Sequence, residues 1–219
     1  MTGPPVLRVA GLRKAFTTPA GDLTVLDGVD LEVGRGEVVA LAGRSGSGKT
    51  VLLTVVAGWD RPDAGTVQRP GDGRDRGAGA GAATGRPAWD DVALVPQSLG
   101  LLDELTVGEN IALPGRLDGV GRDDVGALTT RLGLDHLVDR FPDEVSLGER
   151  QRVALVRAAA LSPRLLIADE PVAHQNQAWA EVVMAVVAEL AQRGTGCLIA
   201  THDEVALRAA DRIVRLRNP

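Results

Sequence analysis

The chain has 219 residues, enough for one sizeable core or a core with a small second lobe. Its net charge of −5 argues against a nucleic-acid partner, whose binders are more often basic. One cysteine excludes an internal disulfide, and no run of about 18 apolar residues is present that would let the chain cross a bilayer by itself.

The first residues carry no long apolar stretch, so no signal peptide is expected and the chain reads as cytoplasmic. Apolar runs at 6–10 and 24–33 read as strands. A third strand, 37–42, leads into Gly43-Arg-Ser-Gly-Ser-Gly-Lys-Thr50, and an apolar helix over 50–58 follows. Strand, glycine-rich turn and helix in that order predict a phosphate-binding loop for a nucleoside triphosphate. The glycines Gly43, Gly46 and Gly48 let backbone N–H groups curl round the phosphates, with Ser45 and Ser47 in the same nucleotide-binding loop, and the helix N-terminus adds partial positive charge. Lys49 is placed to reach the β and γ phosphates, and Thr50 offers its hydroxyl to Mg²⁺. A bland Gly/Ser turn would not need both flanking elements.

Residues 69–91 are dominated by Gly, Ala, Arg and Asp and read as a flexible surface loop. Strand 92–95 is followed by Gln97, which can bridge Mg²⁺ and an attacking water; a loop glutamine alone is a weak signal. Residues 100–145 read as mostly helical, with a helix at 122–133. A further helix covers 149–161. Strand 165–168 ends in Asp169 and Glu170. Asp169 suits Mg²⁺ held through its water shell, and Glu170 suits polarisation of the attacking water; the bland alternative is a solvated strand edge. Helix 178–193 sets Val182, Val183, Val186, Val187 and Leu190 on one stripe. Strand 197–200 contains Cys197, read as a buried small hydrophobe, and is followed by His202, placed to reach the γ phosphate or orient the water. Helix 203–210 and strand 212–216 close the chain.

These motifs together resemble the ATP-binding cassette ATPases over nearly the whole chain. The phosphate loop, Gln97, the stretch Leu101-Leu-Asp-Glu-Leu-Thr-Val-Gly-Glu-Asn110, the signature Val145-Ser-Leu-Gly-Glu-Arg-Gln-Arg-Val-Ala-Leu155, the acidic pair with Pro171, and Thr201-His-Asp203 stand in the family order. The Gly36-Glu37 element before the strand is also present. The resemblance implies an α/β fold: a P-loop NTPase core with an antiparallel β lobe (1–99 and 160–219) and an inserted, mostly helical lobe (100–159). It implies ATP and Mg²⁺ as cofactors. It also implies Phe16 stacked on adenine, the alternative being a core residue of the antiparallel lobe. A second ATPase subunit, the same chain or a different one, would bring its Ser146 and Gly148 to the γ phosphate. A separate membrane permease subunit would receive the motion, with the chain peripheral on the cytoplasmic face of the inner membrane. Gly58-Trp-Asp-Arg-Pro-Asp-Ala-Gly65, Glu149 and the segment Thr201–Arg212 resemble the lipoprotein-release, macrolide-efflux and cell-division-permease group. The division-type alternative transports nothing.

The chain departs from the family at Leu147, where the first signature glycine is usual, and at Gln175 and Asn176, where the family has Leu-Asp. His174 reads as a loop histidine, with no neighbouring ligand to make a metal site. The residues facing a chain's own ATP are intact, whereas those offered to the other subunit are altered. That asymmetry suggests a heterodimer with one strong and one weak site, or a degenerate ATP-binding subunit.

Overall fold

The computed structural model describes residues 4–19, 21–72, 91–118 and 125–216. A five-stranded sheet forms the centre, with strands β3 (Val38–Ala42), β5 (Val92–Val95), β6 (Leu165–Asp169), β7 (Gly196–Ala200) and β8 (Arg212–Arg215). Its order is β5-β6-β7-β3-β8 and every pairing is parallel. Strands β3, β5, β6 and β7 read as short apolar runs because both faces are covered, whereas the edge strand β8 is mostly exposed. Leu165, Ile167, Leu198 and Leu41 pack on one face with helix α1 (Lys49–Val56). Leu166, Ala168, Cys197 and Ile199 pack on the other with helices α4 (Leu147–Ala159) and α5 (Gln177–Gln192).

The buried stripe of α5 is broader than the valine pattern predicts: Ala180, Met184 and Ala191 join it, and Val182 is only partly buried. Helix α6 (Glu204–Ala209) is short and capped by Asp203, whose carboxylate accepts from the amides of Val205 and Ala206.

The second sheet is antiparallel, in the order β2-β1-β4, with β1 at Leu7–Thr18, β2 at Gly21–Val33 and β4 at Ala64–Gln68. Two expectations are corrected here. Strand β1 continues past residue 10 to Thr18 through register shifts, which a single apolar run could not reveal. Strand β4 lies in a segment not expected to be a strand, because Val67 is its one large apolar residue and its pattern is mostly exposed. It depends on Gly65: with φ of 86°, a Cβ there would stand 2.5 Å from the Gly11 carbonyl oxygen. Lys14 of β1 reaches Asp60 at 3.0 Å and Asp63 at 3.7 Å, tying the segment before β4 to the sheet.

Helix α2 (Val107–Asp118) lies in the stretch expected to be mostly helical, but its bounds were not foreseen, since Gly108, Pro114 and Gly115 all oppose helix. Its start is held by reciprocal bonds between Thr106 and Glu109, at 3.0 and 3.2 Å. The fully buried Asn110 adds its carboxamide, which accepts from the Leu102 amide and donates to the carbonyls of Leu102, Leu105 and Thr106. Helix α3 spans Val125–Arg131; the first residues of the helix expected at 122–133 fall outside the described residues. Of the loop expected at 69–91, residues 73–90 likewise fall outside. Its start is anchored, because the Arg69 guanidinium donates to the carbonyls of Val55 and Val56 at the end of α1.

Burial pushes the Cys197 thiol up to about 12, with a smaller push from Asp211. The native protein will therefore resist iodoacetamide at pH ~8 and react readily once unfolded in guanidinium, as read by mass spectrometry.

Candidate functional site

The C-terminal edge of the parallel sheet gathers the chemistry, as open α/β sheets direct. Strand β3 delivers the loop 43–50, β7 delivers His202, β6 delivers Asp169 and Glu170, and β5 delivers Gln97. Together they line a cavity of about 690 Å³. A larger groove, about 1220 Å³, lies at the opposite edge of the sheet, and three of its arginines are already paired: Arg8 with Glu32, Arg69 with Asp72 and Arg164 with Asp91.

The loop fits a polyphosphate. Gly48 caps α1 with φ of 86°, no side chain caps the helix, and no acid stands in its first turn. The amides there are open to an anion. A Cβ on Gly48 would press within 2.9 Å of Val25 and Leu26, and one on Gly43 would lie 2.4 Å from the Ser47 hydroxyl. That Ser47 Oγ is buried with no hydrogen-bond partner, an orphan that a bound group can satisfy. Lys49 Nζ donates to the carbonyls of Gly43 and Arg44 at 2.9 and 3.3 Å, which holds the ammonium at the loop's mouth. Ser45 and Gly46 complete the lining.

The Thr50 hydroxyl donates to Asp169 Oδ2 at 2.7 Å, across 119 residues of sequence. A hydroxyl and a carboxylate so joined, with Gln97 on the same cavity, form an oxygen donor set suited to Mg²⁺. Burial raises the Asp169 carboxyl above the usual aspartate range; the Thr50 bond opposes this, Glu170 adds to it and Lys49 opposes it.

Glu170 is held from several sides. Its backbone sits in the left-handed region at φ 52°, its amide donates to the Ala200 carbonyl at 2.8 Å, and its carbonyl accepts from Gln151 Nε2 at 2.6 Å. One carboxylate oxygen accepts from Thr201 Oγ1 at 3.2 Å and the His202 amide at 3.4 Å. The other lies 2.7 Å from His202 Nδ1. A carboxylate oxygen only accepts, so Nδ1 carries the proton and Nε2 is turned to the cavity and solvent. This carboxylate is oriented to take a proton from a water, and the imidazole can steady that water or a phosphate oxygen.

Phe16 does not line the cavity. It is on β1 opposite Leu23, 40% exposed and thus not a core residue, with Lys14 Nζ 5.4 Å from the ring centroid. Val25 reaches the cavity from that sheet instead. Ser146 and Gly148 also stand apart from it. Ser146 caps α4, which starts at Leu147 rather than 149, and closes a capping box with Glu149: its amide and hydroxyl both donate to Glu149 Oε2, at 2.8 and 2.7 Å. Leu147 is 40% exposed, so part of its side chain is open to solvent at the start of α4. Asn176 caps α5 through Oδ1, which accepts the Trp179 amide at 2.9 Å. An aspartate could cap equally well, so the departure removes a charge and keeps the bond.

The sequence did not reveal His174 on the same cavity as His202, nor Gln151, whose buried side chain binds the Glu170 carbonyl. Arg157 was also missed. It donates to the carbonyls of Leu99 and Gly100, at 2.7 and 2.6 Å, and so pins the loop that carries Gln97. Only a buried arginine pointing to no carboxylate partner would have signalled it, and burial is not visible in a sequence.

A parallel α/β core with a glycine-capped phosphate loop facing an Asp-Glu strand end and a histidine defines a nucleoside-triphosphate-hydrolysing cassette. The family model of ABC transporters matches residues 26–173, and the chain belongs to that family as an ATP-binding, ATP-hydrolysing member. It is 41% identical to the lipoprotein-releasing system ATP-binding protein LolD 2 of Caulobacter vibrioides, covering 98% of this chain and 95% of that protein. It is 36% identical to the macrolide export ATP-binding/permease protein MacB of Syntrophobacter fumaroxidans, over 97% of this chain but only 30% of that longer protein. Among solved structures, a dimeric bacterial ABC transporter cassette superposes with a TM-score of 0.82 at 25% identity, covering 96% of this chain and 94% of the other. An ATP-binding subunit of an ABC transporter gives 0.81 at 29% identity, covering 97% and 86%.

Because the native Asp169 carboxyl keeps its proton to higher pH than the unfolded one, its contribution to stability is complete below the ordinary value of about 3.9. That contribution is lost as pH rises through the native value, so the ionised group is a cost at neutral pH. Asp169→Asn, which still accepts from Thr50, should therefore unfold about 2–4 °C higher without nucleotide at pH ~7. The same variant should lose the stabilisation that Mg²⁺ adds to ATP in the unaltered chain; both are read by thermal denaturation.

Proposed function

We propose that this chain is the ATPase subunit of a membrane extraction or export system, with ATP bound between two subunits. The observation that carries this is the single linked cluster Thr50–Asp169–Glu170–His202 beside an open phosphate loop. Lys49 and the loop amides hold the phosphates. Thr50, Asp169 and Gln97 hold Mg²⁺, which offsets phosphate charge when bound. Glu170 takes the proton of the attacking water and His202 orients it. Phe16 or Val25 meets the base. Ser146 and Gly148 of a second subunit close the site, since in this subunit they face away from its own cavity.

The relation to the LolD proteins supports release of lipoproteins from a membrane as the particular task. No helix among the described residues is long and apolar enough to cross a membrane, so a separate permease is part of the proposal. A mostly apolar groove of about 320 Å³ suits it, lined by Trp59, Pro96, Leu102, Leu113 and Arg157. It adjoins the Gln97 loop that Arg157 pins, so a permease segment seated there senses the ATP site. The chain would then sit on the cytoplasmic face of the inner membrane. Leu147, exposed where a phosphate from the other subunit would arrive, favours a second reading: pairing with a different ATPase subunit.

Activity per subunit that climbs with protein concentration will mark self-pairing, whereas a flat, near-zero rate that rises only on adding a second ATPase chain will mark the heterodimer. Glu170→Gln should lower turnover by at least about 100-fold while ATP still binds, measured by phosphate release and nucleotide titration. Trp59→Ala with Leu102→Ala should weaken capture of a membrane permease subunit by about tenfold, and leave nucleotide affinity unaltered.

A further inference from the structure

The carboxamide of Gln175 joins the loop after Glu170 to the first turn of α4. Its Oε1 accepts from Arg152 NH1 at 2.8 Å. Its Nε2 donates to the Gly148 carbonyl at 2.8 Å and to Gln151 Oε1 at 3.1 Å. The amide has one permitted orientation, because a guanidinium only donates and a backbone carbonyl only accepts. Gln151 is then fixed in turn. Its Oε1 accepts from Gln175 and from the His174 amide, at 3.4 Å, and its Nε2 is left to donate to the Glu170 carbonyl. Two side-chain amides thus connect the backbone of Glu170 to the backbone of Gly148, with every bond direction determined.

Arg152 gives this network a rigid end. It is buried, its Nε donates to the Leu132 carbonyl at 2.9 Å, and its guanidinium lies 4.1 Å from the centre of the Trp179 ring. Trp179 can come that close because residue 133 is glycine; a Cβ there would stand 2.6 Å from the ring. Gly148 is tightly placed as well, since a Cβ on it would lie 2.7 Å from the His174 carbonyl oxygen.

We infer that Gln175 is a positioning residue that locks the Ser146–Gly148 turn to the Glu170 loop, so that the two move as one body within a subunit. The inference rests on the proposed ATP site. A leucine here, as in the family pattern, could pack but could not bond Arg152, Gln151 and Gly148 at once. The turn offered to a second subunit and the loop beside a subunit's own phosphate would then be free to shift separately. With Gln175, nucleotide in one subunit's own cavity orders the surface that the same subunit presents to its partner.

The test is amide hydrogen exchange on the full chain in the Glu170→Gln background, at a concentration where it is monomeric, with and without MgATP. With Gln175 present, nucleotide should slow exchange at 43–50 and, by about tenfold, at 146–152. Gln175→Leu should keep the slowing at 43–50 and lose it at 146–152. Gln175→Glu, which keeps the acceptor for Arg152 but sets a carboxylate against the Gly148 carbonyl, should do the same, and stands in if the leucine variant does not fold. Equal slowing at 146–152 with and without Gln175, or none there in its presence, overturns the inference. Absence of slowing at 43–50 with Gln175 in place overturns the proposed ATP site, and the inference falls with it.

Discussion

Parallel register is the constraint on which the site depends. Leu41 pairs with Ala200, and Ala200 pairs with Asp169, so three strands end level with one another. The phosphate loop, the histidine and the acidic pair therefore leave the sheet at one height. A one-residue slip of β6 would turn Asp169 from its present face and break its 2.7 Å bond to Thr50. The apolar interior that fixes this register is thus as much a part of the chemistry as the polar residues at its edge.

The edge itself is built against local stability. Glu170 adopts a left-handed backbone that a non-glycine residue avoids, and Asp169 is buried as a carboxyl with neutral Thr50 as its hydrogen-bond partner. Ser47 keeps a buried hydroxyl without a partner. Each is costly in the empty protein, and the surrounding sheet and helices hold all of them in place. Such local conflicts mark where selection has favoured binding over folding.

The central features were legible because they are short and contiguous. The phosphate loop, Asp169-Glu170 and His202 each follow an apolar run, and their roles depend on lying at a strand's end. The supporting residues were not legible in the same way. Arg157 bonds a carbonyl 58 positions away, and Gln151 bonds one 19 positions away. Nothing near them in the chain marks those partners. The bounds of helix α2 within its helical stretch were hidden for a related reason: Pro114 and its glycines speak against helix, and a buried asparagine bonded to a preceding loop outweighs them. Strand β4 was hidden because its pairing relies on a missing side chain at Gly65 rather than on apolar residues. Of the two conspicuous departures, Asn176 still caps its helix and Leu147 stands partly exposed at the start of α4.

The capping box at α4 carries an electrostatic consequence. Glu149 Oε2 already collects the Ser146 amide and hydroxyl, and the Ser146 bond is the main reason its carboxyl is held below the usual range. The positive end of α4 is therefore occupied by the subunit's own anion. Any phosphate brought to this turn must displace that carboxylate or share the helix terminus with a like charge. Glu149 is a resident competitor: in the isolated subunit its carboxylate already takes the Ser146 amide and hydroxyl that an incoming anion would seek.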